Sequence, residues 1–340
     1  MFLEPGAPLG KTILELSEEL HVNHKVVQKA VSVLRKEGLL IARTKTGLRV
    51  HPNRPSPASA GPYILLISRL VYTLKDDGKW TMETGGMFHT SLALGAKEAA
   101  EHYGYRIREG YTQNTDEWLE LASEGLVHGA IVSFEHPRDE LYATVERLRK
   151  LGVLVCAVDE YIPGVDSAAF DNRAVGMQVA RLLFTRASHR RVAIFRRYAY
   201  AQAEFEREEG ISELLAQENI PHNRVAWLSQ NIDQTRPDTL ADIRGRLKAY
   251  VSGGLTFDAA FVHWAGLANE IRTYLSDTYG WKTFMAAVGT EEQFASERMS
   301  GVVVSPAEMA RQAVKLIVER TRDRNAPPKV VRLEGRIQIS

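Results

Sequence analysis

The chain has few of the features that mark disulfide-bonded, membrane-spanning or secreted proteins. Its 340 residues contain one cysteine, Cys156, which excludes an internal disulfide framework and a cysteine-built zinc site. No apolar run approaches the roughly 18 residues that a membrane span needs. The first ten residues, MFLEPGAPLG, lack the basic and apolar regions of a secretory signal. We therefore expect a cytoplasmic protein with no membrane partner.

The sequence also lacks the patterns that assemble catalytic or metal centres. The ten histidines form no H-E-x-x-H pair or comparable ligand spacing, and no G-x-S-x-G nucleophile turn occurs. No phosphate-cradling glycine-rich loop follows any predicted strand. We expect no metal, no cofactor and no catalytic residue. Cys156, inside an apolar run, is predicted to be a small buried side chain.

The net charge is small, but it is divided unevenly along the chain. The total is +1, from 43 Lys and Arg against 42 Asp and Glu, which excludes a uniformly basic coat for nucleic acid. Residues 1–55 hold nine basic and five acidic side chains, a net of +4, whereas the other 285 residues hold 34 and 37, a net of −3. Four prolines lie among small residues in HPNRPSPASAGP (51–62), which is typical of a semi-rigid linker. We predict a basic domain over 1–51, a linker over 52–62 and a larger domain over 63–340.

The basic domain has the pattern of two short helices. Thr12 and Glu15 have capping-box spacing, which predicts a helix start near Ile13. Asn23 is a suitable N-cap for a second helix. Apolar residues at helical spacing between Val27 and Leu34 give that second helix a polar face on its opposite side.

A basic hairpin follows these helices, and together they predict a winged helix-turn-helix. The hairpin strands are expected at Leu39–Ile41 and Leu48–Val50. The second helix would enter a DNA major groove while the hairpin contacts phosphates or the minor groove. The candidate DNA-binding residues are Asn23, His24, Lys25, Gln28, Lys29, Arg43, Lys45, Gly47 and Arg49. A protein-binding or dimerisation module with a solvated basic face is the alternative interpretation.

Residues 5–50 resemble the GntR-type winged helix. PGAPL…LSEELHVNHKVVQKAVSVLRKEGLLIARTKTGLRV follows that family's PG start, its L-x-V-S-R-x-T-V core and its G-x-x-V wing. The helix that normally precedes the PG motif is missing, so we expect a domain truncated at its first helix. Gln28 stands where the family usually has a DNA-contacting Arg. The resemblance implies binding to an operator in double-stranded DNA.

From Tyr63 onward, compact apolar runs alternate with helical stretches. The predicted strands are YILLIS (63–68), YRIRE (105–109), HGAIVSF (128–134), GVLVCAV (152–158), RRVAIF (190–195), DAAFVHW (258–264) and FMAAVG (284–289). Helices are predicted between them at Ser91–Tyr103, Asp139–Leu151, Ala174–Phe184 and Glu206–Glu218. This rhythm predicts an α/β fold of doubly wound lobes, with ligands bound at the carboxyl ends of the strands.

The order of local motifs over 63–340 resembles the LacI/GalR-type regulatory domain. FDNRAVGMQVARLLFTRASHRRVAIF (170–195) is similar to that family's D-N-x-x-G signature, REEGISELLAQENI (207–220) to its R-x-x-G helix, and MAAVGTEE (285–292) to its V-V-G-F-D-D segment. The resemblance implies a two-lobed periplasmic-binding-protein-like type I fold with three crossings between the lobes. One lobe would comprise about 62–169 and 304–324, and the other about 170–303 and 325–340. An effector, a sugar or related small metabolite, would bind in the cleft between them.

Seven residues are candidates for binding this effector. They are Arg69, Asp159, Asp171, Asn172, Arg207, Trp264 and Glu291. Arg207 matches the Arg of R-x-x-G, which grips an effector through its guanidinium fork; a salt bridge to a neighbouring glutamate is the alternative. Asp171 and Asn172 could instead cap the next helix. Trp264-Ala265 replaces the family's Asn-Asp pair, so one anchor for sugar hydroxyls is lost, and Trp264 either offers a stacking face or fills the core.

The predicted function is a ligand-responsive transcriptional repressor. It would act as a homodimer whose two DNA-binding heads change spacing when the cleft closes on the effector. A cytoplasmic small-molecule sensor with a non-functional DNA-binding head is the second hypothesis. An enzyme on an α/β scaffold is the third, and the chain shows no assembled nucleophile, base or cofactor motif for it.

Overall fold

The fold is described from a computed structural model of the chain. The described residues are 11–36, 40–43, 47–50, 63–68, 71–74, 80–83, 86–112, 115–133, 138–186, 191–195, 202–228 and 240–340. Residues 1–61 and 62–340 form separate compact units. No helix among the described residues is long and apolar enough to cross a membrane.

The first unit consists of two helices and a hairpin in its described part. These are α1 (Ile13–Glu19), α2 (His24–Lys36), β1 (Leu40–Arg43) and β2 (Gly47–Val50). The predicted capping box is confirmed: the Thr12 hydroxyl accepts a hydrogen bond from the Glu15 N–H at 3.2 Å, and the Thr12 N–H donates to the Glu15 carboxylate at 2.6 Å. Strands β1 and β2 pair antiparallel, with Arg43 opposite Gly47.

The first lobe of the second unit is built around a six-stranded parallel sheet. Its strands are β3 (Tyr63–Ser68), β6 (Arg106–Tyr111), β7 (Val127–Ser133), β8 (Leu154–Val158), β9 (Asp166–Phe170) and β15 (Val330–Leu333), in the order β15-β9-β8-β7-β3-β6. Its helices are α3 (Gly86–His102), α4 (Thr115–Ser123), α5 (Arg138–Lys150) and α11 (Pro306–Arg322). Helices α3 and α11 cover one face of the sheet, and α4 and α5 cover the other. A separate hairpin, β4 (Val71–Leu74) and β5 (Trp80–Glu83), lies between β3 and α3 in the chain.

The second lobe is built around a second six-stranded sheet. Its strands are β10 (Val192–Phe195), β11 (Val225–Leu228), β12 (Ala259–Val262), β13 (Phe284–Gly289), β14 (Ser300–Val303) and β16 (Arg336–Gln338), in the order β11-β10-β12-β13-β14-β16. All pairs are parallel except β14 with β16. Its helices are α6 (Asn172–Ala180), continued by a π-helical turn over Arg181–Arg186, α7 (Gln202–Gln217), α8 (Leu240–Ser252), α9 (Ala265–Tyr279) and α10 (Glu291–Glu297), with a 3-10 turn at His222–Arg224.

Burial explains why the predicted strands could be read from apolar runs. Ile64 through Ile67 of β3 are all fully buried, although their side chains point to opposite faces of the sheet. Both faces of a parallel sheet are covered by helices, so its strands are continuously apolar rather than alternating. All seven predicted runs contain a strand. The predicted α/β fold of two doubly wound parallel sheets is confirmed.

The last crossing between the lobes lies later than predicted. The family resemblance places residues 325–340 in the second lobe, but β15 pairs with β9 of the first sheet, Leu333 opposite Phe170, and only β16 joins the second sheet. A buried ion pair explains this course: Arg320 Nη2 donates to Asp166 Oδ1 at 2.5 Å. The Lys329 N–H donates to the same oxygen at 2.8 Å. These bonds hold the segment after α11 against the start of β9, so residues 325–333 belong to the first lobe.

Candidate functional site

The predicted effector residues in the described part of the chain follow the carboxyl ends of parallel strands. Asp159 follows β8, Asn172 follows β9, Trp264 follows β12 and Glu291 follows β13. Arg207 lies on α7, the helix after β10. Ligands of open α/β sheets bind at this edge of the sheet. Arg69 lies outside the described residues.

Arg207 is fully buried, and its guanidinium contacts two of these residues. Its Nε donates to Asn172 Oδ1 at 2.8 Å, and its Nη1 donates to the backbone carbonyl of His263 at 3.2 Å. Its guanidinium carbon lies 5.0 Å from the ring centroid of Trp264, within the range of a cation–π contact. Three of the seven predicted residues, Asn172, Arg207 and Trp264, are therefore brought together. We call them the Arg207 cluster.

Two glycines explain how Arg207 reaches Asn172. A Cβ placed on Gly176 of α6 would lie 1.9 Å from the Arg207 backbone oxygen, and one on Gly210 of α7 would lie 2.0 Å from the Arg173 oxygen. The helices α6 and α7 therefore cross backbone against backbone, which only glycine at both positions allows. This close crossing carries the Arg207 side chain to the amino end of α6, where Asn172 lies.

Trp264 also connects the two lobes. Its ring centroid lies 5.7 Å from that of Phe88, with an interplanar angle of 82°, an edge-to-face arrangement that aromatic pairs favour. Phe88 belongs to the first turn of α3 in the first lobe, whereas Trp264 precedes α9 in the second. The carboxyl edges of the two sheets therefore meet at this aromatic pair. Trp264 therefore lies between Arg207 of the second lobe and Phe88 of the first.

An ionisable pair lies directly beside the Arg207 cluster. His263 is 1% exposed, and its Nε2 lies 3.6 Å from Glu208 Oε1, a carboxylate whose side chain is 12% exposed. The His263 ring also contacts Phe261 edge-on, with centroids 4.8 Å apart. The His263 backbone carbonyl accepts from Arg207, so this pair adjoins the cluster through one residue.

Asp159 occupies an unusual backbone conformation directly after the carboxyl end of β8 in the first lobe. Its φ is +58°, and it is 8% exposed. A non-glycine residue with positive φ is uncommon, and such residues collect at binding sites, where the surrounding structure stabilises them. The Asp159 N–H donates to the Ala168 carbonyl at 3.0 Å, which ties this turn to β9.

Asp171 and Glu291 have structural contacts. Asp171 Oδ1 accepts from the Ala174 N–H at 3.0 Å and caps α6, which was the alternative to ligand binding. The Glu291 carboxylate accepts from Arg336 Nη2 at 3.2 Å, and its side chain is 74% exposed in the first turn of α10. The described contacts place Glu291 with Arg336 and do not join it to the Arg207 cluster.

Sequence reasoning misses three residues of this region: Phe88, Glu208 and His263. Phe88 is missed because the predicted start of α3 is Ser91, whereas the helix begins at Gly86. His263 ends an apolar run, and its charge partner Glu208 is 55 positions away in the chain. From the sequence, Glu208 is only one of the glutamates that could form a salt bridge with the adjacent Arg207. Side-chain pairs this distant in sequence leave no periodic signal.

The candidate DNA-binding residues of the first unit lie on α2 and on the hairpin. Val27 of α2 is buried, whereas the polar residues of the predicted face are exposed: His24, Lys25, Gln28 and Lys29. Asn23 caps α2, because its side-chain oxygen accepts from the Lys25 N–H at 2.9 Å. The hairpin contributes Arg43 on β1 and Gly47 and Arg49 on β2. Lys45 lies outside the described residues.

Comparison with known proteins identifies the fold of the chain. No protein-family model and no curated protein sequence matches it. Solved structures do resemble it. A LacI family transcriptional regulator from Enterococcus faecium with bound ribose is 15% identical, with a TM-score of 0.62 over 81% of this chain and 96% of that chain. The transcriptional regulator CelR in complex with cellobiose is 17% identical, with a TM-score of 0.62 over 97% of this chain and 98% of that chain.

A third solved structure agrees with these two. The LacI family regulator CCPA from Weissella paramesenteroides, with bound sucrose, is 12% identical, with a TM-score of 0.62 over 81% of this chain and 96% of that chain. At such identities the likeness shows the fold alone. The predicted LacI-like, periplasmic-binding-protein-like architecture is confirmed, and the three neighbours named here are transcription regulators.

Proposed function

We propose that this chain is a ligand-responsive DNA-binding transcription regulator, acting as a repressor, whose two-lobed unit senses a sugar or related small metabolite. The observation that carries the proposal is the convergence of Arg207, Asn172 and Trp264 where the two lobes meet. A ligand held there contacts both lobes, so its binding free energy biases their relative position.

The chemistry of the cluster suits a polyhydroxylated ring. Arg207 and Asn172 offer hydrogen-bonding groups held in place by their mutual bond of 2.8 Å, so little side-chain entropy is lost on binding. Trp264 and Phe88 offer aromatic surface to the apolar face of a ring. The solved neighbours with bound ribose, cellobiose and sucrose support a sugar as the ligand.

The first unit supplies the DNA-binding half of the proposal. An exposed polar face on α2, opposite the buried Val27 and Val31, can enter a major groove. A hairpin with Arg43 and Arg49 follows at the position of a wing. We assign this unit to the GntR-type winged helix on the sequence motifs. A homodimer would place two such heads on a pseudo-palindromic operator.

Ligand binding is tested with Arg207→Lys rather than with alanine, because alanine would empty a fully buried site. Lysine keeps the charge but loses the planar fork that bonds both Asn172 and the His263 carbonyl. Ribose, cellobiose and sucrose are screened by thermal shift, and hits are quantified by calorimetry. We expect at least a ten-fold loss of affinity in Arg207→Lys.

The matched control is Arg244→Lys, because Arg244 also contacts an aromatic ring, that of Tyr274 at 5.3 Å, but lies on the exposed side of α8. The affinity of the Arg244→Lys variant for the same sugar should equal that of the wild type. Equal affinity in wild type and Arg207→Lys would contradict the assignment of the site.

A further inference from the structure

His263 lies at the point where β12 ends and α9 begins. β12 pairs with both neighbouring strands up to its last residue, Val262, and α9 starts at Ala265. The His263 carbonyl accepts from Arg207 Nη1 at 3.2 Å, and the next residue is Trp264. The placement of residues 263 and 264 therefore sets two contacts of the Arg207 cluster: the carbonyl that orients the guanidinium, and the ring centroid that lies 5.0 Å from it.

The His263 side chain anchors this turn. Trp264 is the N-cap residue of α9, but among the described contacts its indole supplies no capping hydrogen bond, whereas the usual N-cap residues fix such a turn through a side-chain oxygen. The His263 ring is 1% exposed and packs edge-on against the buried Phe261, with centroids 4.8 Å apart and an interplanar angle of 62°. The turn is therefore held by the side chain that precedes the tryptophan.

Glu208 holds the same ring from α7. Its Oε1 lies 3.6 Å from His263 Nε2. Arg207 and Glu208 are consecutive residues of one helix, so their side chains leave α7 about 100° apart. Arg207 reaches the His263 carbonyl while Glu208 reaches the His263 ring. Because α7 is attached to His263 at two points, both the distance and the orientation of the turn relative to α7 are restrained.

Stability alone gives no reason for a carboxylate at this place. The Glu208 side chain is 12% exposed, so its ionised form gives up most of its hydration at a cost in free energy. Apolar side chains that replace a buried ion pair are often neutral or stabilising. The charge does have a use beside the Arg207 cluster, since a carboxylate attracts both an imidazolium and the N–H dipole of a neutral histidine.

We propose that Glu208 is a positioning residue of the ligand site. It holds the His263 ring, and through the turn at residues 263 and 264 it fixes the Arg207 guanidinium and the Trp264 ring in the arrangement that binds the ligand. This inference rests on the ligand-binding role proposed above, and it does not require Glu208 to touch the ligand. Groups that are held in place before binding lose less conformational freedom on binding, so Glu208 contributes to ligand affinity.

The test compares the full wild-type chain with three variants. Glu208→Gln keeps the shape and removes the charge, and it leaves no obligatory buried charge because a histidine can be neutral. Glu208→Asp keeps the charge. Glu209→Gln is the matched control, since it removes the same charge from the next, exposed position of the same helix. Calorimetry uses whichever of ribose, cellobiose and sucrose binds the wild type most tightly, and thermal unfolding verifies that each variant is folded.

We expect Glu208→Gln to raise the Kd by about ten-fold, which lies in the middle of the range of coupling within one hydrogen-bond and ion-pair network. Glu208→Asp moves the charge back by about 1.5 Å. Since attraction falls with the inverse of distance, about 70% of it remains, and the Kd should rise by only about two-fold. Glu209→Gln should keep the wild-type Kd.

Two readouts separate positioning from a general structural effect. In an Arg207→Lys background, Glu208→Gln should raise the Kd by less than about three-fold, because the guanidinium fork that it orients is already gone. The emission of Trp264 is obtained by subtracting the spectrum of the matching Trp264→Phe variant. Without ligand, this emission should shift in Glu208→Gln and stay unchanged in Glu209→Gln.

An unchanged Kd or an unchanged Trp264 emission in folded Glu208→Gln, with weaker binding by Arg207→Lys, would overturn the inference and leave the proposed function intact. An equal loss from Glu208→Gln in the wild-type and Arg207→Lys backgrounds would also overturn it, because Glu208 would then act independently of Arg207. Equal losses in Glu208→Gln and Glu209→Gln would reduce the effect to long-range charge. Equal affinity of the wild type and Arg207→Lys would overturn the proposed site and this inference together. The emission measurement needs no ligand, so it decides even if none of the three sugars binds.

Discussion

Replacing Gly176 by alanine tests the backbone crossing that positions Arg207. The added Cβ would lie 1.9 Å from the Arg207 oxygen, whereas real Cβ contacts essentially never fall below 3.0 Å. Helices α6 and α7 must therefore separate by about 1.1 Å, and the atom in the way is backbone, which cannot rotate aside. Such overpacking costs about 1–3 kcal/mol. Since the Arg207–Asn172 hydrogen bond of 2.8 Å spans the same two helices, its loss adds about 1.5–3 kcal/mol.

The expected total is about 2.5–6 kcal/mol, which lowers the midpoint of thermal unfolding by roughly 5–24 °C for a domain of this size. Gly245→Ala on α8 is the matched control, because a Cβ there meets no atom within 4 Å. Alanine is the better helix former, so that variant should gain about 0.5–1 kcal/mol. Differential scanning calorimetry of both variants provides the comparison. Equal unfolding temperatures for Gly176→Ala and Gly245→Ala would refute the crossing.

Three further predictions concern single contacts in the second unit. Asp171→Ala should cost about 1 kcal/mol in urea unfolding through loss of the α6 cap, whereas Asp171→Asn should be near neutral; equal losses in both would contradict the cap. Asp166→Asn removes the counter-charge of the partly buried Arg320 and should lower the free energy of unfolding by about 3 kcal/mol; a loss below about 1 kcal/mol would contradict the role of this ion pair. Burial raises the pKa of the Cys156 thiol, so Ellman's reagent should react only after unfolding, and fast reaction with the native protein would contradict its buried position.

Most of the fold could be predicted because its physical causes are local in sequence. The apolar strands are buried on both faces and so form uninterrupted runs, such as Ile64–Ile67. The capping residue Thr12 and its partner Glu15 are three positions apart. By contrast, β15 has exposed and half-buried residues in alternation, and the contact that places it runs through Asp166, 154 positions before Arg320. Nothing in the neighbouring sequence marks that ion pair.

Sequence motifs could identify single residues of the candidate site. They could not identify contacts between residues that lie far apart in the chain. Arg207 and Asn172 each stand in a recognisable motif, and the structure joins them at 2.8 Å. Trp264 departs from the family pattern, and the sequence leaves two alternatives open for it, stacking face and core filler. Its partner Phe88 lies in the other lobe, 176 positions earlier. Only the folded arrangement of both lobes shows that this tryptophan contacts Phe88 and Arg207.

The measurement that tests the central claim most directly is the effect of a bound sugar on DNA affinity. The full chain is titrated with its enriched duplex in the absence and presence of a saturating sugar found by the thermal-shift screen. If the Arg207 cluster senses the ligand and the first unit binds DNA, the sugar should weaken DNA binding by about 5–150-fold, the usual range of allosteric coupling. Arg207→Lys should bind DNA normally and need at least ten-fold more sugar for the same response. A wild type that binds both the sugar and the duplex, with an unchanged DNA affinity, would contradict the account.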